Sequence, residues 1–78
     1  MAQLKMVNYT ILVHPAEEGG YWTEVPGLPG CFSQGETVEE AIEYTRDAIE
    51  LMLECLKEDG VEAKGDDGLL IVNVNVAA

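Results

Sequence analysis

One long amphipathic segment constrains the fold of this chain more than any other feature. Thr37 is followed three residues later by Glu40, a spacing typical of a capping box at the start of a helix. Apolar residues then recur at helical spacing up to about Asp59. One stripe of this segment is expected to point inward to the sheet: Val38, Ile42, Thr45, Ile49, Met52, Leu53 and Leu56. Gly60 is the residue type that most often follows a helix C-terminus. The pattern therefore predicts one long helix from residue 38 to about residue 59.

Segments with strand patterns lie on both sides of this helix. Alternating apolar residues predict strands over residues 5–14, 21–25, 31–34 and 69–76. The turn at Pro15–Gly20 and the loop at Pro26–Gly30 are short, so the first three strands are expected to form an antiparallel meander. The helix then returns the chain to the first strand through a right-handed connection. The predicted fold is a single α+β domain over residues 1–78. Its order is β-β-β-α-β, with a mixed four-stranded sheet of order 3-2-1-4 and the helix on one face.

Such a sheet has one face that a single helix cannot cover, and that face must meet solvent, a second copy or a partner. A 78-residue chain also buries little apolar surface, which favours self-association. We therefore expect a homodimer or a higher homo-oligomer. The expected interface residues are Leu69 and Ile71 on the last strand and Tyr44, Leu51 and Cys55 on a second apolar stripe of the helix. That stripe is equally compatible with a broad contact to the core. Cys31 and Cys55 are both expected to be small buried residues.

A third side of the helix is strongly acidic. It carries Glu39, Glu43, Asp47, Glu50, Glu54 and Glu58. Like charges four residues apart each cost a few tenths of a kcal/mol in an isolated helix. Arg46 and Lys57 are too few to balance them. Two interpretations stay open: a solvated face kept for solubility, and a docking surface for a basic partner that involves Glu43, Asp47, Glu50 and Glu54.

Overall charge excludes several classes of function. The chain has 15 acids against 4 lysines and arginines, for a formal net charge of −11. Nucleic acids and anionic membranes are bound mainly through cations, so neither is an expected partner. The sequence shows neither a secretory signal nor an apolar run long enough to span a bilayer. We expect a cytoplasmic protein.

The candidates for a catalytic or metal site are weak. His14 and Cys31 are a possible base and nucleophile, but they fall on strands one and three, at opposite ends of the predicted sheet. One histidine and two cysteines cannot supply the four ligands of a structural zinc site. No carboxylate pair has a catalytic context. The sequence therefore predicts no catalytic residues, no metal, no cofactor and no enzymatic activity.

The continuous stretch from Gly20 to Ala41 resembles the HicB-like antitoxin family. It contains an aromatic strand at Tyr21–Val25, a loop with the sequence Pro-Gly-Leu-Pro-Gly-Cys, a short strand ending at Gly35, and a capped acidic helix. The resemblance implies a partial ribonuclease-H-like fold without ribonuclease activity. It further implies that the chain neutralises a small, basic, mRNA-cleaving HicA-type toxin.

Partner-binding residues are then expected in the acidic helix and near the motif. Trp22, Pro26 and Pro29 are candidates, although the prolines could equally serve only to fix the loop and Trp22 only to fill the core. The alternative function is a stand-alone dimeric module that binds a protein or a ligand and has no toxin partner.

The chain departs from the family pattern in two places. Position 27 is glycine where the family often has aspartate, so no role of that carboxylate is carried over. The sequence also ends at Ala78, where many family members continue into a DNA-binding helix-turn-helix or ribbon-helix-helix. We therefore expect a short form that lacks this domain and does not repress its own promoter.

Overall fold

The computed structural model describes residues 6–78, which contain three strands followed by one helix. The strands are β1 (Leu12–Pro15), β2 (Tyr21–Glu24) and β3 (Phe32–Gly35), and the helix is α1 (Val38–Glu58). The sheet has the order β1-β2-β3, and both pairs of strands are antiparallel. The predicted meander of the first three strands is therefore confirmed.

Both predicted ends of the helix are confirmed. The Thr37 side chain accepts a hydrogen bond from the Glu40 backbone N–H at 3.1 Å, and the Glu40 carboxylate accepts from the Glu36 N–H at 2.9 Å. At the other end, Gly60 has φ +74°, which an L-residue adopts only with strain. The Val61 N–H returns to the Leu56 carbonyl at 2.8 Å, which completes a Schellman turn.

The fourth predicted strand is absent from the described residues, so the four-stranded sheet of order 3-2-1-4 and the partial ribonuclease-H-like fold are wrong. Residues 69–76 pair with no strand, and Leu70 is 87% and Val74 79% exposed. The alternation of apolar residues there indicates a propensity to pair as a strand. It does not indicate which strand the segment pairs with, or whether that strand belongs to the same chain.

The first strand is also shorter than predicted. Residues 6–11 form no ladder because β2 ends at Glu24 and the chain then turns through Pro26. Lys5, the first residue of the predicted strand, lies outside the described residues. Pro15 closes β1 without losing a ladder bond, because it occupies a position in which the missing N–H would point away from β2.

The core lies between the sheet and α1. Its buried centre consists of Val25, Leu28 and Cys31, against which the C-terminal half of the predicted inward stripe of α1 packs. The start of that stripe is less buried than predicted, because Val38 and Ile42 stay more than one-third exposed. Ala41 is fully buried at this end of the helix instead.

The helix approaches β3 closely at Gly35. A Cβ atom at this position would lie 2.5 Å from the Ala41 backbone nitrogen and 2.9 Å from its Cα. Only glycine fits so near another backbone. The glycine that ends β3 thereby sets the distance between the sheet and the helix.

Candidate functional site

The face of the sheet opposite α1 is uncovered, as the sequence predicts for a sheet with one helix. Side chains from the three strands alternate onto this face: Leu12, His14, Trp22, Glu24, Phe32 and Gln34. Phe32 is 59% exposed, and Leu12 and Trp22 are each more than one-third exposed. Large apolar side chains therefore lie beside polar ones on an open surface.

A three-residue contact orders part of this open face. The His14 and Trp22 rings stack with centroids 4.2 Å apart, and His14 Nε2 lies 2.9 Å from Glu24 Oε1. Cys31 is buried in the core on the other side of the sheet. The geometry thus gives His14 a carboxylate and an indole as neighbours, and it does not bring His14 and Cys31 together.

Burial also affects the chemistry of Cys31. Desolvation raises the pKa of its thiol, which keeps the group protonated near neutral pH. A protonated, enclosed thiol is a poor nucleophile. Cys55 behaves differently: it is a free cysteine exposed on α1, so the prediction that both cysteines are buried is right for Cys31 and wrong for Cys55.

The acidic side of α1 lies entirely in solvent. All six of its carboxylates are exposed: Glu39, Glu43, Asp47, Glu50, Glu54 and Glu58. Within residues 6–78, no ion pair joins any of them to Arg46 or Lys57. No ion pair within the described residues therefore relieves their mutual repulsion, so a cationic surface would find these carboxylates available.

A shallow cleft of about 630 Å³ lies at the end of the sheet where the β1–β2 hairpin meets the start of α1. Its walls combine carboxylates with aromatic rings: Glu18, Glu36 and Glu40 with Tyr21, Trp22 and Tyr44. Carboxylates and aromatic faces both attract lysine and arginine side chains. Of the predicted partner-binding residues, Trp22 lines this cleft, and its ring also lies on the uncovered face of the sheet.

The proline loop lies at the other end of the molecule. Two consecutive turns shape it, in which the Leu28 N–H donates to the Val25 carbonyl and the Cys31 N–H donates to the Leu28 carbonyl, both at 3.0 Å. Pro29 is exposed and lines a groove next to the C-terminal part of α1, whereas Pro26 is only half-exposed. The proline loop and the acidic cleft therefore lie near opposite ends of α1. The structure does not bring Pro26 and Pro29 close to Trp22.

The second apolar stripe of α1 borders a groove next to β3. Leu51 and Cys55 line it together with Cys31 and Phe32, and Leu51 is 64% exposed. Tyr44, on the same stripe, is half-exposed and lines the acidic cleft instead. Leu69 and Ile71 lie on the C-terminal segment and line neither of these two pockets.

The part of the chain that the structure describes shows neither a metal-binding cluster nor a membrane-spanning helix. No group of three or more His, Cys, Asp or Glu side chains within residues 6–78 is arranged to hold a metal ion. No helix in that range combines the length and apolarity that crossing a membrane requires.

Comparison with known proteins decides the family. The family model described as the HicB-like antitoxin of bacterial toxin–antitoxin systems matches residues 9–70. The chain belongs to the HicB-like antitoxin family. This match confirms the resemblance carried by the motif from Gly20 to Ala41, and it extends through the loop that follows α1.

Individual members of the HicB-like family show how far the similarity reaches. The UPF0150 protein Ta0767 of Thermoplasma acidophilum is 38% identical over 61 residues, which cover 78% of this chain and 88% of that protein. The UPF0150 protein ssr1765 of Synechocystis is 48% identical over 52 residues, or 67% of this chain and 66% of that protein. Antitoxin HicB 1 of Photorhabdus laumondii is 39% identical over 56 residues, which cover 72% of this chain but 36% of that longer protein.

Several residues of these surfaces were not singled out as site residues from the sequence. Leu12, Glu24, Phe32 and Gln34 on the open face belong to this group. The alternation of strand residues carried the necessary signal, since each of them shares a face with Trp22. The cleft residues Glu18 and Glu36 had no such signal, because only the fold brings their loops together.

Proposed function

We propose that this chain is the antitoxin of a toxin–antitoxin pair and neutralises a small, basic, mRNA-cleaving HicA-type toxin by covering it, without catalysis of its own. Membership of the HicB-like family supports an antitoxin role. The observation that carries the proposal further is the acidic side of α1, where six exposed carboxylates have no basic partner among the described residues. A protein that binds RNA is basic, and its surface complements this side.

The acidic cleft supports the same type of partner. Arginine and lysine side chains on a toxin would find both carboxylates and aromatic rings there, including Glu40 and Trp22. We place the primary contact on Glu43, Asp47, Glu50 and Glu54. Trp22 lies in a secondary contact, and Pro29 borders the far end of the helix. Pro26 is assigned to shaping the loop. Because the target acts on mRNA, the pair would work in the cytoplasm.

The proposal is tested by measuring how strongly the chain inhibits RNA cleavage by a purified HicA-type toxin from the same organism. One variant, E43Q/E50Q/E54Q, removes three charges from the acidic side. The control, E17Q/D59N/D67N, removes three exposed charges elsewhere and so has the same net charge. We expect the first variant to inhibit about ten-fold more weakly at low salt, because exposed charge pairs contribute about 0.2–1 kcal/mol each.

The salt dependence provides a second measurement. The difference between the two variants should shrink at about 0.5 M salt, where screening acts within a few ångströms. Equal losses in both variants, or inhibition that does not change with salt, would contradict docking through the acidic side. If no HicA-type toxin is inhibited at all, the stand-alone binding module becomes the better description.

Self-association is part of the proposal. A homodimer would cover apolar surface that remains open here, and the proposed contact residues are Tyr44, Leu51, Cys55, Leu69 and Ile71. Tyr44, Leu51 and Cys55 lie on α1, whereas Leu69 and Ile71 lie on the C-terminal segment.

A further inference from the structure

We propose that residues 69–76 add as a strand to the free edge of β1 in a second copy of this chain, so that two copies exchange these segments. The exchange rests on the homodimer of the proposed function and does not depend on the toxin. Three features support the exchange: an unpaired apolar segment, a free sheet edge that is also uncharged, and the distribution of acids along the chain.

The donor is the C-terminal segment, called here the tail (residues 69–76). Its aliphatic side chains project into solvent: Leu70 is 87%, Val72 74% and Val76 80% exposed. These three side chains and Val74 fall on one side of an extended chain, and Leu69, Ile71, Asn73 and Asn75 fall on the other. A segment with one aliphatic side and one partly polar side is suited to cover a core from the edge of a sheet.

The acceptor is the outer edge of β1 and of the extended residues before it, called here the free edge (residues 7–13). The Ala16 N–H bonds to the Gly20 carbonyl, so the even-numbered residues of β1 face β2. The odd-numbered residues of β1 therefore direct their N–H and carbonyl groups outward. Before β1, the Asn8 carbonyl and the Thr10 N–H both bind Asp66 on one side of the chain, so the alternation continues through residues 7–11. Tyr9 and Ile11 pack their side chains against the core, and a groove of about 300 Å³ lies between this edge and Arg46 and Ile49 of α1. A strand added here would gain backbone hydrogen bonds and bury its aliphatic side.

The loop before the tail explains why the tail does not reach the free edge of its own chain. Asp66 donates its N–H to the Asn8 carbonyl at 2.9 Å, and its carboxylate accepts from the Thr10 N–H at 3.1 Å and the Thr10 hydroxyl at 2.7 Å. These are even-numbered groups, so Asp66 occupies the side of the strand that faces β2. The tail begins three residues later, on the side opposite the free edge.

Charge explains why the occupant is a second copy. The chain carries 15 acids, but residues 1–16 and residues 69–78 contain none. Two copies with a net charge of −11 each repel one another wherever acidic surfaces meet. The tail and the free edge are surfaces through which they can approach without that repulsion. A basic partner would gain nothing from these uncharged segments, because its attraction lies on the acidic side of α1.

The β3 edge is a poorer acceptor. β3 has four residues, as β1 has, but a turn that ends at Cys31 directly precedes it and the acidic start of α1 directly follows it, so no further residues extend its edge. The free edge offers seven residues to the eight residues of the tail, so their lengths match. Reciprocal exchange also removes both free edges and both exposed tails in one step, which yields a closed dimer.

The test compares two double variants of the whole chain by sedimentation. V72D/V74D places two charges on the aliphatic side of the tail, and N73D/N75D adds the same charges on the other side. We expect the wild type and N73D/N75D to sediment with twice the 8.5 kDa chain mass. V72D/V74D should raise the dimer dissociation constant by at least about a hundred-fold, because buried carboxylates are strongly disfavoured. A monomeric wild type, or equal effects of both variants, would overturn the proposal.

Hydrogen exchange identifies the acceptor. The backbone N–H groups of Tyr9, Ile11 and Val13 should be protected in concentrated wild type and lose protection in V72D/V74D. The same loss is expected when the wild type is diluted until it is monomeric. Protection that survives dilution would mean that the tail pairs within its own chain, and protection at β3 would mean a different edge. Either result overturns the exchange.

Discussion

The buried hydroxyl pair between the sheet and α1 yields a stability prediction with a definite order of effects. Thr23 and Thr45 are both fully buried, and their hydroxyl groups are hydrogen-bonded to each other. The Thr45 hydroxyl also donates to the Ala41 carbonyl one helical turn earlier. A hydroxyl has only one proton, so Thr23 must be the donor in the pair.

The two threonines are therefore not equivalent. Thr45→Val removes the hydroxyl that accepts from the buried Thr23 O–H. Leaving a buried donor without an acceptor costs about 1–3 kcal/mol. Thr23→Val leaves the bond from Thr45 to Ala41 intact, so it loses one hydrogen bond, worth about 0.5–1.5 kcal/mol. In the double variant no buried donor is left unsatisfied, so it should be more stable than Thr45→Val alone.

Thermal and urea unfolding, followed by circular dichroism, would measure these differences. In a domain of this size a change of 1 kcal/mol shifts Tm by about 4–8 °C, which separates the variants clearly. The assay should be run at one fixed protein concentration, because self-association makes Tm depend on it. The reasoning is refuted if Thr23→Val costs as much as Thr45→Val, or if the double variant is the least stable of the three.

Three further predictions concern other contacts. Gly35→Ala should lower Tm strongly, because the new Cβ would lie 2.5 Å from the Ala41 backbone nitrogen. The loss of stability should far exceed the roughly 1 kcal/mol that an ordinary glycine change costs. Unfolding close to that of the wild type would show that α1 can shift away from β3. Asp66→Ala should lower the free energy of unfolding in urea by about 1–3 kcal/mol, because Thr10 loses its hydrogen-bond acceptor in the loop after α1. Asp66→Asn should keep most of the stability, since an amide oxygen can still accept from the Thr10 N–H. Equal losses in the two variants would contradict this role of Asp66. In thiol labelling near neutral pH, exposed Cys55 should react quickly and Cys31 slowly, because burial raises the pKa of Cys31, and Cys55→Ser should remove the fast phase.

The features that the sequence predicted correctly are local. The start of α1 at Thr37 and its end at Gly60 follow from side chains and backbone preferences within a few residues of each helix end. The antiparallel order of the first three strands follows from two short connections. Each of these conclusions needs only neighbouring residues, so a single sequence is sufficient.

The incorrect predictions depended on distant partners. Residues 69–76 have the alternation of a strand, but a strand also requires an edge that the segment can reach, and Asp66 anchors the chain on the opposite side. Cys55 is a residue type that is often buried, but the second apolar stripe of α1 borders an open groove next to β3, and Cys55 stays exposed there. The acidic cleft was missed for the same reason, because Glu18 and Glu40 are brought together only by the fold.

The arrangement of charge separates two kinds of contact on one small scaffold. The acidic side of α1 repels other copies of the chain and attracts basic proteins. The uncharged tail and free edge do not attract cations, but an added uncharged strand would gain backbone hydrogen bonds and bury apolar surface there. If both contacts form as proposed, the tail and the free edge share no residue with the acidic side of α1, so strand exchange and docking on that side need not compete. Charge removal on α1 should then weaken toxin inhibition while leaving the dimer intact or strengthening it, since it lowers the repulsion between copies. Loss of the dimer in E43Q/E50Q/E54Q would show that the two surfaces are not independent.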